Sequence, residues 1–293
     1  MRVKYQKRIV SKTFSTAGGT DEEKTAFIQD IVNALIDMGA PLDADTFTDL
    51  GRGSASVSFA GEGTVLPLGA ASILFEAYTE GSLDEWFVGI LGFGRSIANT
   101  VTGNFAYCED VICGYTDKKE ARVCIHAVKS GDSFFFGFIP ITGDPYGGCI
   151  SYALTPMRRL SDPPVSLGYA LVEGAIPGGP DMNIGGMFNR TLPFVEGFNY
   201  RDGFFNFTTP GYAYAFPETD TGKIPLVPYF AGIEDIYYDK VYVCPMKRGI
   251  AEEKAFETDK GTFLIGGIHG VDHTTMGYNN FAFDITEAVN TAQ

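Results

Sequence analysis

The sequence predicts an α+β fold that is predominantly antiparallel β, sandwich or barrel-like, with one N-terminal amphipathic helix packed on the sheet. Three observations carry this prediction. A single well-marked helical segment, Asp21 to Met38, precedes some 250 residues of short aromatic and β-branched runs cut up by Gly and Pro. Glycine makes up 36 of 293 residues, about 12% against a usual level of about 7%, which calls for many turns. With 24 Phe and 15 Tyr, those turns separate strands rather than helices.

The helix is the firmest element. Thr20 followed by Glu23 has capping-box spacing, in which each side chain accepts the other residue's unpaired backbone N–H. Asp21, Glu22 and Glu23 place negative charge at the positive end of the helix dipole. Phe27, Ile28, Ile31, Val32, Leu35 and Ile36 recur at three- and four-residue steps, and Gly39 then Pro41 end the run. Strand-like runs follow at Ala55 to Phe59, Thr64 to Leu68, Ala71 to Tyr78 and Glu85 to Leu91, the last reading as buried. A hairpin is expected from Ala121 to Val128 through Lys129, Ser130, Gly131 and Asp132 to Ser133 to Ile139. A second strand pair is expected at Ile236 to Cys244 and Thr262 to Ile268, with a final strand at Phe281 to Ile285.

Residues 1–20 form a basic arm and 21–293 a β-rich body with a loop-rich insertion at about 176–228. Met1 to Thr13 carries Arg2, Lys4, Lys7, Arg8 and Lys12 and no acid, a local charge of +5, which leaves −19 on the rest of a chain whose total is −14. Such an arm is either a solvated tail or an attractor for a neighbouring copy of the same acidic chain. The acidic body argues against general nucleic-acid binding. No apolar h-region follows the arm, which therefore does not read as a secretory signal, and no run of about 18 apolar residues suggests a membrane span. In the insertion, seven prolines from Pro177 to Pro228 keep regular structure short. Tyr212, Tyr214 and Phe216 alternate with alanine, placing three rings on one face as core or as a contact row.

Chemistry-bearing patterns are sparse. His269 and His273 stand four apart, but Gly266, Gly267 and Gly270 favour a polar loop over a zinc-binding helix. His126 alternates with Cys124 and Val128 as a packed strand residue. Gly92-Phe93-Gly94 lacks the third glycine of a dinucleotide loop, since Ile97 stands there. Glu234, Asp235 and Asp239 beside aromatic residues leave a carboxylate pair of glycosidase type open. Pro225 to Pro228 has PxxP spacing but reads as an irregular loop, and the sequons at Asn189 and Asn206 matter only on secretion. The five cysteines, an odd number, favour reduced thiols; a turn at Asp117 to Glu120 would set Cys113 opposite Cys124, as adjacent thiols or a bond. No catalytic residue, cofactor site or metal site is assigned.

Three stretches, TAFIQDIVNALIDMGAPL, ARVCIHAVKSGDSFFFGFI, and IYYDKVYVCP followed by GTFLIGGIHGVDHTTMGYNNFAFDI, together resemble virion structural proteins of tailed bacteriophages. The resemblance is to subunits that form rings or attachments at the neck, tail or baseplate, and covers about half the chain. It implies a non-enzymatic protein assembled in the bacterial host cytoplasm into the virion. Its partners would be copies of itself in a ring or multimer and other virion proteins. The assembly contacts that go with this reading are Arg2, Lys4, Lys7, Arg8, Lys12, Tyr212, Tyr214 and Phe216. The competing reading is a carbohydrate-active or receptor-binding β protein that recognises a cell-surface glycan.

Overall fold

The capped helix and the aromatic hairpin organise the molecule. The computed structural model describes residues 5–16, 19–60, 72–80, 85–97, 100–102, 110–112, 120–140, 150–173, 227–230, 236–243, 255–265 and 281–290. Helix α1 spans Asp21–Asp37. Glu23 N–H donates to Thr20 Oγ1 at 3.3 Å and Thr20 N–H donates to Glu23 Oε2 at 2.9 Å, so the capping box closes. The same carboxylate accepts from Ser15 N–H at 2.8 Å, which ties the segment before the helix to its first turn. At the other end Gly39, at φ +99°, lets its own N–H and that of Ala40 reach back to the Ile36 and Leu35 carbonyls.

Sixteen strands are described, and every pairing among them is antiparallel. The smaller sheet runs β2 (Leu42–Gly51), β3 (Ser54–Phe59), β4 (Ser72–Glu80), β5 (Glu85–Ile97) and β6 (Thr100–Thr102), with β7 (Asp110–Ile112) also on β5. The Gly92-Phe93-Gly94 run lies inside β5, extended as a strand and not as a phosphate loop. The larger sheet begins with β1 (Gln6–Thr13), β8 (Glu120–Ser130), β9 (Ser133–Pro140) and β10 (Ile150–Arg159). It continues through β13 (Ile236–Val243), β16 (Phe281–Asp284), β15 (Gly261–Ile265) and β14 (Ala255–Thr258), while β11 (Val165–Glu173) adds to β10 and β12 (Val227–Phe230) to β13. A short helix α2, Thr286–Asn290, follows β16.

The basic arm is thus no loose tail over residues 6–13: it is β1, an edge strand paired along its whole length with β8. Alternation then sorts β8 and β9. Val123, Ile125 and Ala127 with Phe134, Phe136 and Phe138 face a shared core. There they meet Phe27, Ile28, Ile31 and Leu35 of α1 and Val57, Ile73 and Phe75 of the smaller sheet. Burying each such side chain contributes about 1.5–3 kcal/mol. The reverse face of the same strands is also covered. β9 and β13 occupy one edge of β10 in succession, at Ile150 to Leu154 and at Met157 to Arg159. The β13–β16 limb brings Phe283 onto Phe135, with ring centroids 4.5 Å apart and planes 8° from parallel.

Several expectations are corrected. β13 and β15 do not pair with each other: β16 lies between them, because the last described strand inserts into the gap. The β8–β9 turn is two residues, Gly131-Asp132, not four, since Ser130 and Ser133 are already paired and Gly131 supplies the φ of +57° that such a tight turn requires. Val227 and Pro228 belong to β12 and not to a loop. Cys124 stands between Ile9 of β1 and Ile139 of β9, so both flanks are taken and Cys113 is not its cross-strand neighbour. Cys113 itself, the run Thr64 to Leu68, His269 and His273, both sequons and nearly all of 176–228 lie outside the described residues.

Candidate functional site

Of the eight residues expected to make assembly contacts, Lys7, Arg8 and Lys12 are described, and all three lie on β1; Arg2, Lys4, Tyr212, Tyr214 and Phe216 lie outside the described residues. β1 is at the end of the larger sheet, and no described strand pairs with its outer edge. Seven of its eight residues are exposed or half-buried, and only Val10 is buried. Arg8 and Lys12, which share the helix side with Val10, reach Asp37 and Asp30 of α1, each at 3.4 Å. These are exposed pairs, with 55% and 64% of the two side chains open for Arg8–Asp37, and are worth about 0–1 kcal/mol each. On the other side of the strand Ile9 is 58% exposed.

A second edge answers the first. β2 ends the smaller sheet and carries Asp43, Asp45 and Asp49 with no basic residue. Its register against β3 shifts between Asp43 and Thr48, where Thr46 Oγ1 accepts from Ser58 N–H at 2.8 Å in place of a ladder bond. Asp49 accepts from Thr25 of α1 at 3.3 Å. The helix therefore touches both edges, with β1 on its acidic residues and β2 on its first turns.

Away from these edges, a cleft of about 370 Å³ lies where the β8–β9 turn, β10, β13 and α2 converge. Its walls include Asp132, Arg158, Tyr237, Asp239, Lys240 and Glu287. Arg158 Nε donates to Asp239 at 2.9 Å and its Nη2 lies 3.4 Å from Asp132. Burial acts to lower the Arg158 pKa, but the hydrogen bond and charge of Asp239, with Asp132, outweigh it and raise it. Tyr237 is likewise raised, first by burial and then by the charge of Asp239. Lys240 Nζ bonds Glu287 at 2.8 Å and Ser130 Oγ at 3.3 Å, and these partners hold Lys240 at φ +60°, a conformation that costs a residue other than glycine about 1–3 kcal/mol.

The arrangement suits holding more than proton transfer. Asp132 and Asp239 share one guanidinium and Glu287 is bonded to an ammonium, so each of the three carboxylates is tied to a fixed cation. Among the described residues no group of three or more His, Cys, Asp or Glu is placed to hold a metal ion. His126 is buried and stacks on Tyr5 at 5.8 Å. Of the cleft, sequence reasoning singled out only Asp239; Glu234 and Asp235 lie outside the described residues. Arg158, Lys240 and Glu287 were missed because they come from three separate stretches with no common spacing. Comparison of the chain with protein-family models, curated proteins and solved structures found no match. No described helix is long and apolar enough to cross a membrane.

Proposed function

We propose that this chain is a non-enzymatic structural subunit of a tailed-bacteriophage particle, part of a ring or attachment at the neck, tail or baseplate. The observation that carries the reading is that residues 6–13 of the basic arm are built into the larger sheet as an edge strand on which Lys7, Arg8 and Ile9 are exposed. Strand edges of this kind are templates for pairing with another chain. Copies of the chain and other virion proteins are its partners, and the virion is its destination. Mass spectrometry of purified particles of the phage that encodes it, with immunogold labelling, is expected to find the chain at one of those positions. Its absence from particles overturns the proposal.

A second reading has one specific observation behind it. The charged cleft pairs carboxylates and cations beside Tyr237 and Pro164, groups that suit the hydroxyls and apolar face of a sugar. A glycan screen of the full chain, repeated with Arg158→Met, tests it. Binding that is lost in the variant favours the glycan reading, and no binding removes it.

A further inference from the structure

We infer that copies of this chain join head to tail, with edge strand β1 of one copy against edge strand β2 of the next. The inference rests on the structural-subunit reading above and names the occupant of its edge.

Four observations converge on it. First, β1 and β2 end different sheets, and no described strand covers either outer edge. Second, their charges are equal and opposite: Lys7, Arg8 and Lys12 give β1 a charge of +3, and Asp43, Asp45 and Asp49 give β2 a charge of −3. Third, the charges are spread along both edges: Lys7, Arg8 and Lys12 along β1, and Asp43, Asp45 and Asp49 along β2, with Asp45 in the stretch where the β2–β3 ladder is interrupted. Fourth, among the described residues only four large apolar side chains are exposed, and Ile9 on β1 and Leu50 on β2 are two of them.

Charge also selects the geometry. Two β1 edges repel each other, as do two β2 edges, so a symmetric dimer through either edge is disfavoured. Unlike edges attract, and a contact between unlike patches propagates from copy to copy until rotation closes it into a ring. The pairs Arg8–Asp37 and Lys12–Asp30 within the chain do not compete strongly, because they are long and open to solvent, and the incoming aspartates can share the same cations. Backbone bonds along the strands supply affinity, and the charges supply direction.

The test is sedimentation of the full chain at low ionic strength and at about 1 M salt, where the Debye length falls to about 3 Å. The wild type is expected to form multimers that weaken with salt. The double variant Arg8→Glu with Lys12→Glu makes both edges acidic, and Asp45→Lys with Asp49→Lys makes both basic. Each is expected to self-associate at least about tenfold more weakly, a loss of about 1.4 kcal/mol. An equimolar mixture is expected to assemble again, because each reversed edge then meets a complementary one. Asp45→Lys alone spares the Asp49–Thr25 contact and gives an acidic-edge variant without risk to helix docking. Variants that assemble like the wild type, a mixture that stays monomeric, or wild-type assembly indifferent to salt overturn the inference. A monomeric wild type found in particles overturns edge pairing and leaves the virion reading standing. Salt-sensitive assembly with rescue, in a chain absent from particles, does the reverse.

Discussion

Phe135 and Phe283 offer a direct measurement of how the two limbs of the larger sheet hold together. Both rings are fully buried, on β9 and β16, in a near-parallel stack at the short end of the usual range of aromatic separations. Truncating a buried Phe to Ala costs about 3–5 kcal/mol, whereas Leu keeps most of the volume, so each Phe→Leu change is expected to cost about 1–2 kcal/mol. If the rings interact beyond filling space, the double variant costs less than the sum of the singles by about 0.5–1.5 kcal/mol. Urea denaturation of the wild type, Phe135→Leu, Phe283→Leu and the double variant gives the coupling from four midpoints. A coupling below about 0.3 kcal/mol, the scatter seen for independent sites, refutes the stacked contact and with it the closure of the β16 limb over the reverse face.

Other perturbations test the helix, the turns and the cleft. Thr20→Ala is expected to destabilise by about 1 kcal/mol through loss of the cap, read as a lowered denaturation midpoint. The Glu23 pKa is held below its ordinary 4.5 by hydrogen bonds from the Thr20 and then the Ser15 backbone, so its contribution is present above that value and is lost as pH falls through the lowered one. Glu23→Gln should therefore flatten the acid limb of a stability–pH curve, and an unchanged limb counts against the capping box. Arg52 and Gly53 form the β2–β3 turn at φ +56° and +73°, so Arg52→Asn should stabilise by about 0.5–1 kcal/mol. Gly53→Ala sets a Cβ 2.6 Å from the Ala77 carbonyl oxygen and should cost about 1–3 kcal/mol, both changes being measured by thermal melting. Arg158→Met leaves Asp239 without its guanidinium, and, with solvent screening allowed for, a loss of about 1–2 kcal/mol in denaturant titration is expected.

What was legible in the sequence was what local chemistry dictates. The capping box, the Gly39 stop and the period of Phe27 to Leu35 mark α1 without help from the rest of the chain. The β8–β9 hairpin was equally plain because a Gly-Asp turn separates two apolar runs. Pairings between distant strands were not, since hydrophobic runs carry no address: nothing in Phe281 to Asp284 says that it inserts between β13 and β15. β2 escaped notice because Asp43, Asp45 and Asp49 make it look like a loop, a consequence of its position at a solvated edge. The basic arm was visible as charge, but its strand character depends on β8, more than a hundred residues away. The cleft was hidden for the same reason, as Arg158, Asp239 and Glu287 meet only after three separate strand and helix placements are made.

That distance between β1 and its only described strand partner has a kinetic meaning. Thr13 pairs with Glu120 and Gln6 with Ala127, so β1 has no template until the β8–β9 hairpin, more than a hundred residues later, has left the ribosome. At translation rates of about 5–20 residues per second, the wait is on the order of 10 s. Its three like charges keep the segment solvated through that interval, and closing so long a loop makes it one of the slower elements to settle. A strand made long before its partner is thus among the last to be fixed.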